Sequence, residues 1–252
     1  MVRKIVVQST VTKHREAAAQ RVIDAYGDKL PEARLLCFFD DQDWPKFKSN
    51  EATRGLYWRV NDALFECAPE YLTEQLQTVR PGGLLVNAFD HLVYVHNSAC
   101  SDDRGLTLTF AHELQHFRQN VNTPLLWAVS SLIPQLKKET LAELGWRDWA
   151  DVPHEREARI VGKRVALEIM GFATVQEFIA SRIPHAVNDI DRRDWEFMHG
   201  IHSTDSYDLA AGVRAAFQRL RPYRKELEEL LFEKQDDPTF PAVDLDTLFS
   251  DL

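Results

Sequence analysis

The stretch His112-Glu113-Leu114-Gln115-His116 constrains this chain more than any other. On a helix, positions four apart lie about 40° from each other around the axis. His112 and His116 therefore present their imidazoles on one face, one turn apart, an arrangement in which two nitrogens can share one metal ion. Glu113, about 100° round from His112, reaches a metal-held water without ligating, the position of a general base in zinc-dependent hydrolysis. Leu106, Phe110, Leu114, Phe117 and Val121 fall into a separate stripe suited to core packing. The pattern predicts a helix over Leu106–Val121 with one face in the core and the other lining a cleft.

At 252 residues with 44% hydrophobic content, the chain has ample apolar surface for a core. A formal charge of -9 argues against a nucleic-acid partner. After Arg3 and Lys4 the apolar run is only Ile5 to Val7, too short for a signal-peptide core, and Leu125 to Pro134 is about half of what a bilayer requires. The expectation is a cytoplasmic chain with no membrane partner. Cys37, Cys67 and Cys100 are widely spaced and read as reduced packing thiols rather than a disulfide frame or thiolate zinc site.

The patterning predicts an α+β chain: a small N-terminal mixed β-sheet with helices, then the histidine helix and a mainly helical C-terminal half. Expected elements are a strand at Ile5–Val7, a helix at Lys13–Tyr26 closed by Gly27, and strands at Ala33–Phe39 and Gly55–Val60. A solvated acidic turn at Asp40, Asp41 and Asp43 follows the second strand. A helix at Pro69–Val79 and a turn at Pro81-Gly82-Gly83 precede Leu84–His96, read as one bent strand or a hairpin about Asp90-His91. Ser101, Asp102 and Asp103 are candidate caps for the histidine helix. Thr123-Pro124 is a cap and first-position signal for Leu125–Ile133, a core segment or an apolar wall beside the metal. Further helices are expected over Gln135–Leu144, from an opening at Asp151-Val152-Pro153 to about Met170, and near Val175–Ser181, Leu209–Leu220 and Pro222–Glu233.

A hydrolytic zinc site commonly adds a third protein ligand. On the helical wheel, Glu155 lies within about 80° of Ala158, Gly162, Val165, Ala166 and Ile169, so it emerges from a small, buried stripe. A carboxylate there is costly unless paired or metal-bound, and Ala158 and Gly162 allow a close helix approach. Glu157 lies beside Arg164 and Glu168 on the charged face; it and Glu139 are the rivals. His154 reads by default as a surface histidine at a helix start, with a ligand or supporting role as the alternative.

His112–His116 followed by Glu155-Arg156-Glu157-Ala158 resembles the two-part signature of gluzincin metallopeptidases, the group related to thermolysin, neprilysin and the CAAX-type proteases. Gln119 also matches the HELxHxxQ pattern of bacterial zincin domains. The resemblance spans about fifty residues, Phe110 to Gly162. It implies one zincin-like domain over residues 1–234, with an α/β part at 1–104 and a helical part at 105–234. It also implies Zn2+ held by His112, His116 and Glu155, with Glu113 as general base. Where several relatives carry an Asp that orients the first histidine, this chain has Arg159; Asp151 and Glu157 are candidate substitutes.

The implied activity is zinc-dependent hydrolysis of peptide bonds in a peptide or protein substrate. The alternatives are a catalytically inactive zincin-fold binding or regulatory protein, or a non-peptidase zinc hydrolase. His185, His199, His202 and Tyr207 are candidate oxyanion donors, and a strand near Leu92–Val95 is a candidate for aligning substrate by edge pairing. The acidic tail, 235–252, reads as flexible, or as a docking helix through Leu245, Leu248, Phe249 and Leu252 that binds a partner or folds back.

Overall fold

The computed structural model describes residues 4–9, 13–40, 54–81, 83–96, 99, 102–146, 151–234, 240–246 and 249. Asp41, Asp43, Ser101, Cys100, Leu248 and Leu252, all singled out above, lie outside them. The fold is α+β, with a small mixed sheet and a mainly helical remainder.

Strand β1 (Lys4–Ser9), helix α1 (Lys13–Tyr26) and strand β2 (Arg34–Asp40) form a parallel β-α-β unit. Strand β6 (His91–His96) lies parallel to β2, and β3 (Gly55–Arg59) closes the sheet antiparallel to β6, in the order β1-β2-β6-β3. β2 and β6 are covered on both faces, which is why they read as continuous apolar runs. Leu35, Cys37, Phe39, Val93 and Val95 join the core shared with α1 and the histidine helix. Leu36, Phe38, Leu92 and Tyr94 pack on the other side against α2 (Asp62–Cys67) and α3 (Glu70–Leu76).

Three sequence expectations change here. The helix predicted over Pro69–Val79 ends at Leu76; Gln77–Val79 (β4) pairs instead with Leu85–Asn87 (β5) as a separate antiparallel ribbon. Leu84–His96 is neither one strand nor a hairpin about Asp90. Asp90 accepts the Arg34 guanidinium, donates its N–H to the Arg34 carbonyl at 2.9 Å and accepts from Val60 N–H, so the chain breaks there and enters the main sheet as β6. Because β6 is interior, it has no edge to offer; the outer strands of this sheet are β1 and β3. The third change is α2, a short helix unforeseen in sequence, whose Asn61 side chain caps the Leu64 N–H.

The histidine helix, α4 (Asp103–Asn122), starts at Asp102, whose carboxylate accepts from the Arg104 N–H at 2.7 Å. Leu106, Phe110, Leu114 and Phe117 are fully buried, as their stripe predicts. The Tyr26 hydroxyl donates to the Ala111 carbonyl at 2.7 Å, fixing α4 to α1 immediately before His112. α5 (Pro124–Leu132) begins at Pro124, but Thr123 does not cap it; its hydroxyl donates back to the Gln119 carbonyl. After α6 (Lys138–Glu143) comes α7 (Pro153–Met170), which shares with α4 the largest contact of any two elements. A Cβ at Gly162 would meet the His112 backbone N at 3.1 Å, so glycine lets α7 approach α4 beside the first histidine.

The chain continues as α8 (Phe172–Arg182), α9 (Asp189–Gly200), α10 (Leu209–Leu220) and α11 (Arg224–Glu233). α9 was absent from the sequence expectations: only Asp191, Trp195 and Met198 are buried in it, a narrow stripe with a charge inside. The described part of the tail is packed, with Leu245 buried beside Val213 and Phe217, and Phe249 against Phe217. Lys163, on α7, is fully buried and donates to the carbonyls of Met198 (2.7 Å), His199 (3.1 Å) and Ile201 (2.6 Å), closing the C-terminal end of α9. Lys163→Met leaves these carbonyls without that donor and is expected to cost about 2–5 kcal/mol, a fall in Tm of roughly 5–15 °C by scanning calorimetry. Among the described residues, no helix is long and apolar enough to cross a membrane.

Candidate metal centre

The helical spacing of His112 and His116 and the docking of α7 bring three side chains from two helices to one point. Their Nε2 atoms are 2.9 Å apart. Glu155, in the first turn of α7, sets Oε2 at 3.3 Å from His112 Nε2 and Oε1 at 3.4 Å from His116 Nε2. Tetrahedral zinc bonds of about 2.0–2.1 Å put ligand atoms roughly 3.3 Å apart. Both carboxylate separations match that span, and the two imidazoles would open by a few tenths of an ångström. The donor set therefore fits a zinc-sized ion. Among the described residues, this is the group of His, Cys, Asp and Glu side chains able to hold a metal, all donor atoms lying within 4.8 Å of one another.

The rival third ligands sit elsewhere. Glu139 is exposed on α6. Glu157, assigned in sequence to the solvated face, instead accepts from Gln119 Nε2 at 2.7 Å. That bond explains Gln119: its amide nitrogen also donates to the His154 carbonyl at 2.8 Å, so its oxygen must face His116 Nδ1, at 2.9 Å. An acceptor there requires the proton on Nδ1 and leaves the Nε2 lone pair directed into the site. Glu157 thus supports His116 through Gln119 rather than orienting His112. Gln119→Ala is expected to weaken zinc binding by about 10–100-fold, read by competition with a chromogenic chelator.

His154 departs from its surface assignment. It is 3% exposed, its Nδ1 lies 2.7 Å from the Ser130 hydroxyl, and its Nε2 lies 3.7 Å from Glu155 Oε1. Burial drives its pKa down to about 3, so its ring is neutral. Trp127, from the apolar segment considered as a pocket wall, has its ring 5.0 Å from that of His116 and 4.8 Å from that of His154.

Burial and neighbouring charges oppose each other at all three side chains. Burial works to raise Glu155, but His116, His112 and Arg159 outweigh it and hold the carboxyl well below the ordinary range. Burial and the neighbouring His116 push His112 down to about 4. Burial also opposes charge on His116, yet Glu155 and Glu113 lift its pKa above the ordinary value.

Glu113 points to β3. Arg54 accepts from His96 N–H and Val60 donates to the Asp90 carbonyl, so by alternation Gly55, Tyr57 and Arg59 turn their backbone groups away from β6. On that side the Tyr57 backbone hydrogen-bonds the Glu113 carboxylate. A Cβ at Gly55 would lie 2.8 Å from both Glu113 Cγ and Oε1. Burial carries the Glu113 pKa up to about 7. A glycine within a strand is the sequence signal of this close approach.

Arg159, where an Asp was sought, donates from Nη1 to Glu155 Oε2 at 2.7 Å and from Nε to Asp194 on α9. His185, His199 and His202 are exposed, and no hydrogen bond, ion pair or ring contact joins these or Tyr207 to the histidine-glutamate cluster. Comparison with protein-family models, with curated proteins and with solved structures gave no match.

Proposed function

We propose that the chain is a zinc-dependent metallopeptidase of zincin type, with His112, His116 and Glu155 as ligands and Glu113 as general base. The observation that carries this reading is the convergence of three donor atoms from α4 and α7, with ligand-like separations, beside a buried carboxylate on the strand side. Zinc bound there supplies a Lewis acid that polarises a carbonyl and acidifies water, lowering its pKa towards about 7. Glu113 would take a proton from water and return it to the leaving amine. Gly55, Tyr57 and Arg59 turn their backbone groups away from β6 on the side of Glu113, an edge suited to an extended peptide whose scissile carbonyl would lie beside Glu113. Trp127 and the ring of His154 exclude water from one flank.

The test is turnover of a mixed peptide library by zinc-loaded protein and by protein stripped with a chelator. Cleavage that disappears on stripping and returns with zinc supports the reading. Zinc-loaded protein that leaves every peptide intact would sink it.

A further inference from the structure

Resting on the metal-centre reading, we propose that Arg159 is a positioning residue that makes Glu155 a one-oxygen ligand. The two oxygens of Glu155 are not equivalent. Oε2 receives Arg159 Nη1 at 2.7 Å and lies 3.3 Å from His112 Nε2, whereas Oε1 faces the imidazoles of His116 at 3.4 Å and His154 at 3.7 Å. A dication drawing on both oxygens would have to sit against the guanidinium, and like charges repel more strongly in a partly buried site than in water. The guanidinium cannot swing aside. Its Nη1 also donates to the Glu155 carbonyl at 3.2 Å, one turn back on α7, its Nε is held by Asp194, and the side chain is 11% exposed. Helix α9, through Asp194, thereby sets the denticity of a ligand on α7.

The consequence is chemical. A carboxylate that binds through both oxygens fills the coordination sphere, and one that binds through a single oxygen leaves a position for water. Arg159 takes the part of a second-sphere carboxylate by a different route: it steers the carboxylate ligand instead of an imidazole.

The test uses the full chain loaded with zinc or cobalt, with coordination number read by X-ray absorption at the zinc edge and by the visible bands of the cobalt form. Arg159→Met is expected to keep one metal per chain and gain one oxygen donor in the first shell. Asp194→Asn, which loosens the guanidinium without touching the ligands, moves the cobalt spectrum in the same direction and less far. It keeps the test alive if Arg159→Met fails to fold. A wild-type protein that binds metal, with spectra unchanged in both variants, overturns the role of Arg159 and leaves the metal centre standing. A folded wild-type protein that binds no metal removes the metal centre itself.

Discussion

Glu113→Gln is expected to retain zinc and lose turnover by about 100- to 10,000-fold, because the amide keeps the shape of the side chain and accepts no proton. The effect on stability has the opposite sign. The carboxyl pKa rises from 4.5 to about 7 on folding, so between those values the native chain holds a proton that the unfolded chain has lost. The stabilisation from that proton is present below pH 4.5 and fades as pH rises through about 7. By pH 8 the wild-type protein has lost about 3 kcal/mol at this position, a loss the glutamine variant does not share. Metal-free Glu113→Gln should therefore gain on the wild-type protein as pH rises, measured by denaturant unfolding across pH 5 to 8. Stability curves that run parallel across that range would mean the carboxyl is not held in a buried setting. Unchanged turnover would assign the base elsewhere.

Glu155→Ala is expected to weaken zinc binding by more than the 10- to 100-fold typical of lost outer partners, since it removes a donor atom itself. It also strands Arg159, which then pairs with Asp194 alone and places a cation next to two histidines. Both effects act against the metal, so purified protein should carry well under one zinc per chain. Zinc content equal to that of the wild-type protein would reopen the search for the third ligand, although Glu157 is engaged by Gln119 and Glu139 is exposed.

The histidine helix was legible because two periodicities coincide in it: the four-residue step of the histidines and the apolar stripe running to Val121. Glu155 was legible for the same reason, as a charge emerging from small residues. What escaped depends on contacts between elements. His154 looks like a helix-start surface residue until α5 brings Ser130 to its ring. Nothing in the local pattern of Arg159 shows that Asp194 will be across from it, and α9, carrying Asp194, has too few apolar residues to announce itself. The interior place of β6 also escaped, because strand order is set by long-range pairing, which alternation within one strand does not encode.

The most direct measurement is an anomalous-difference map at the zinc edge from crystals of zinc-loaded protein. The account requires one peak at bonding distance from His112 Nε2, His116 Nε2 and a single Glu155 oxygen, with Glu113 outside the first shell. A well-ordered site with no such peak, or a peak that Glu155 does not touch, would contradict it.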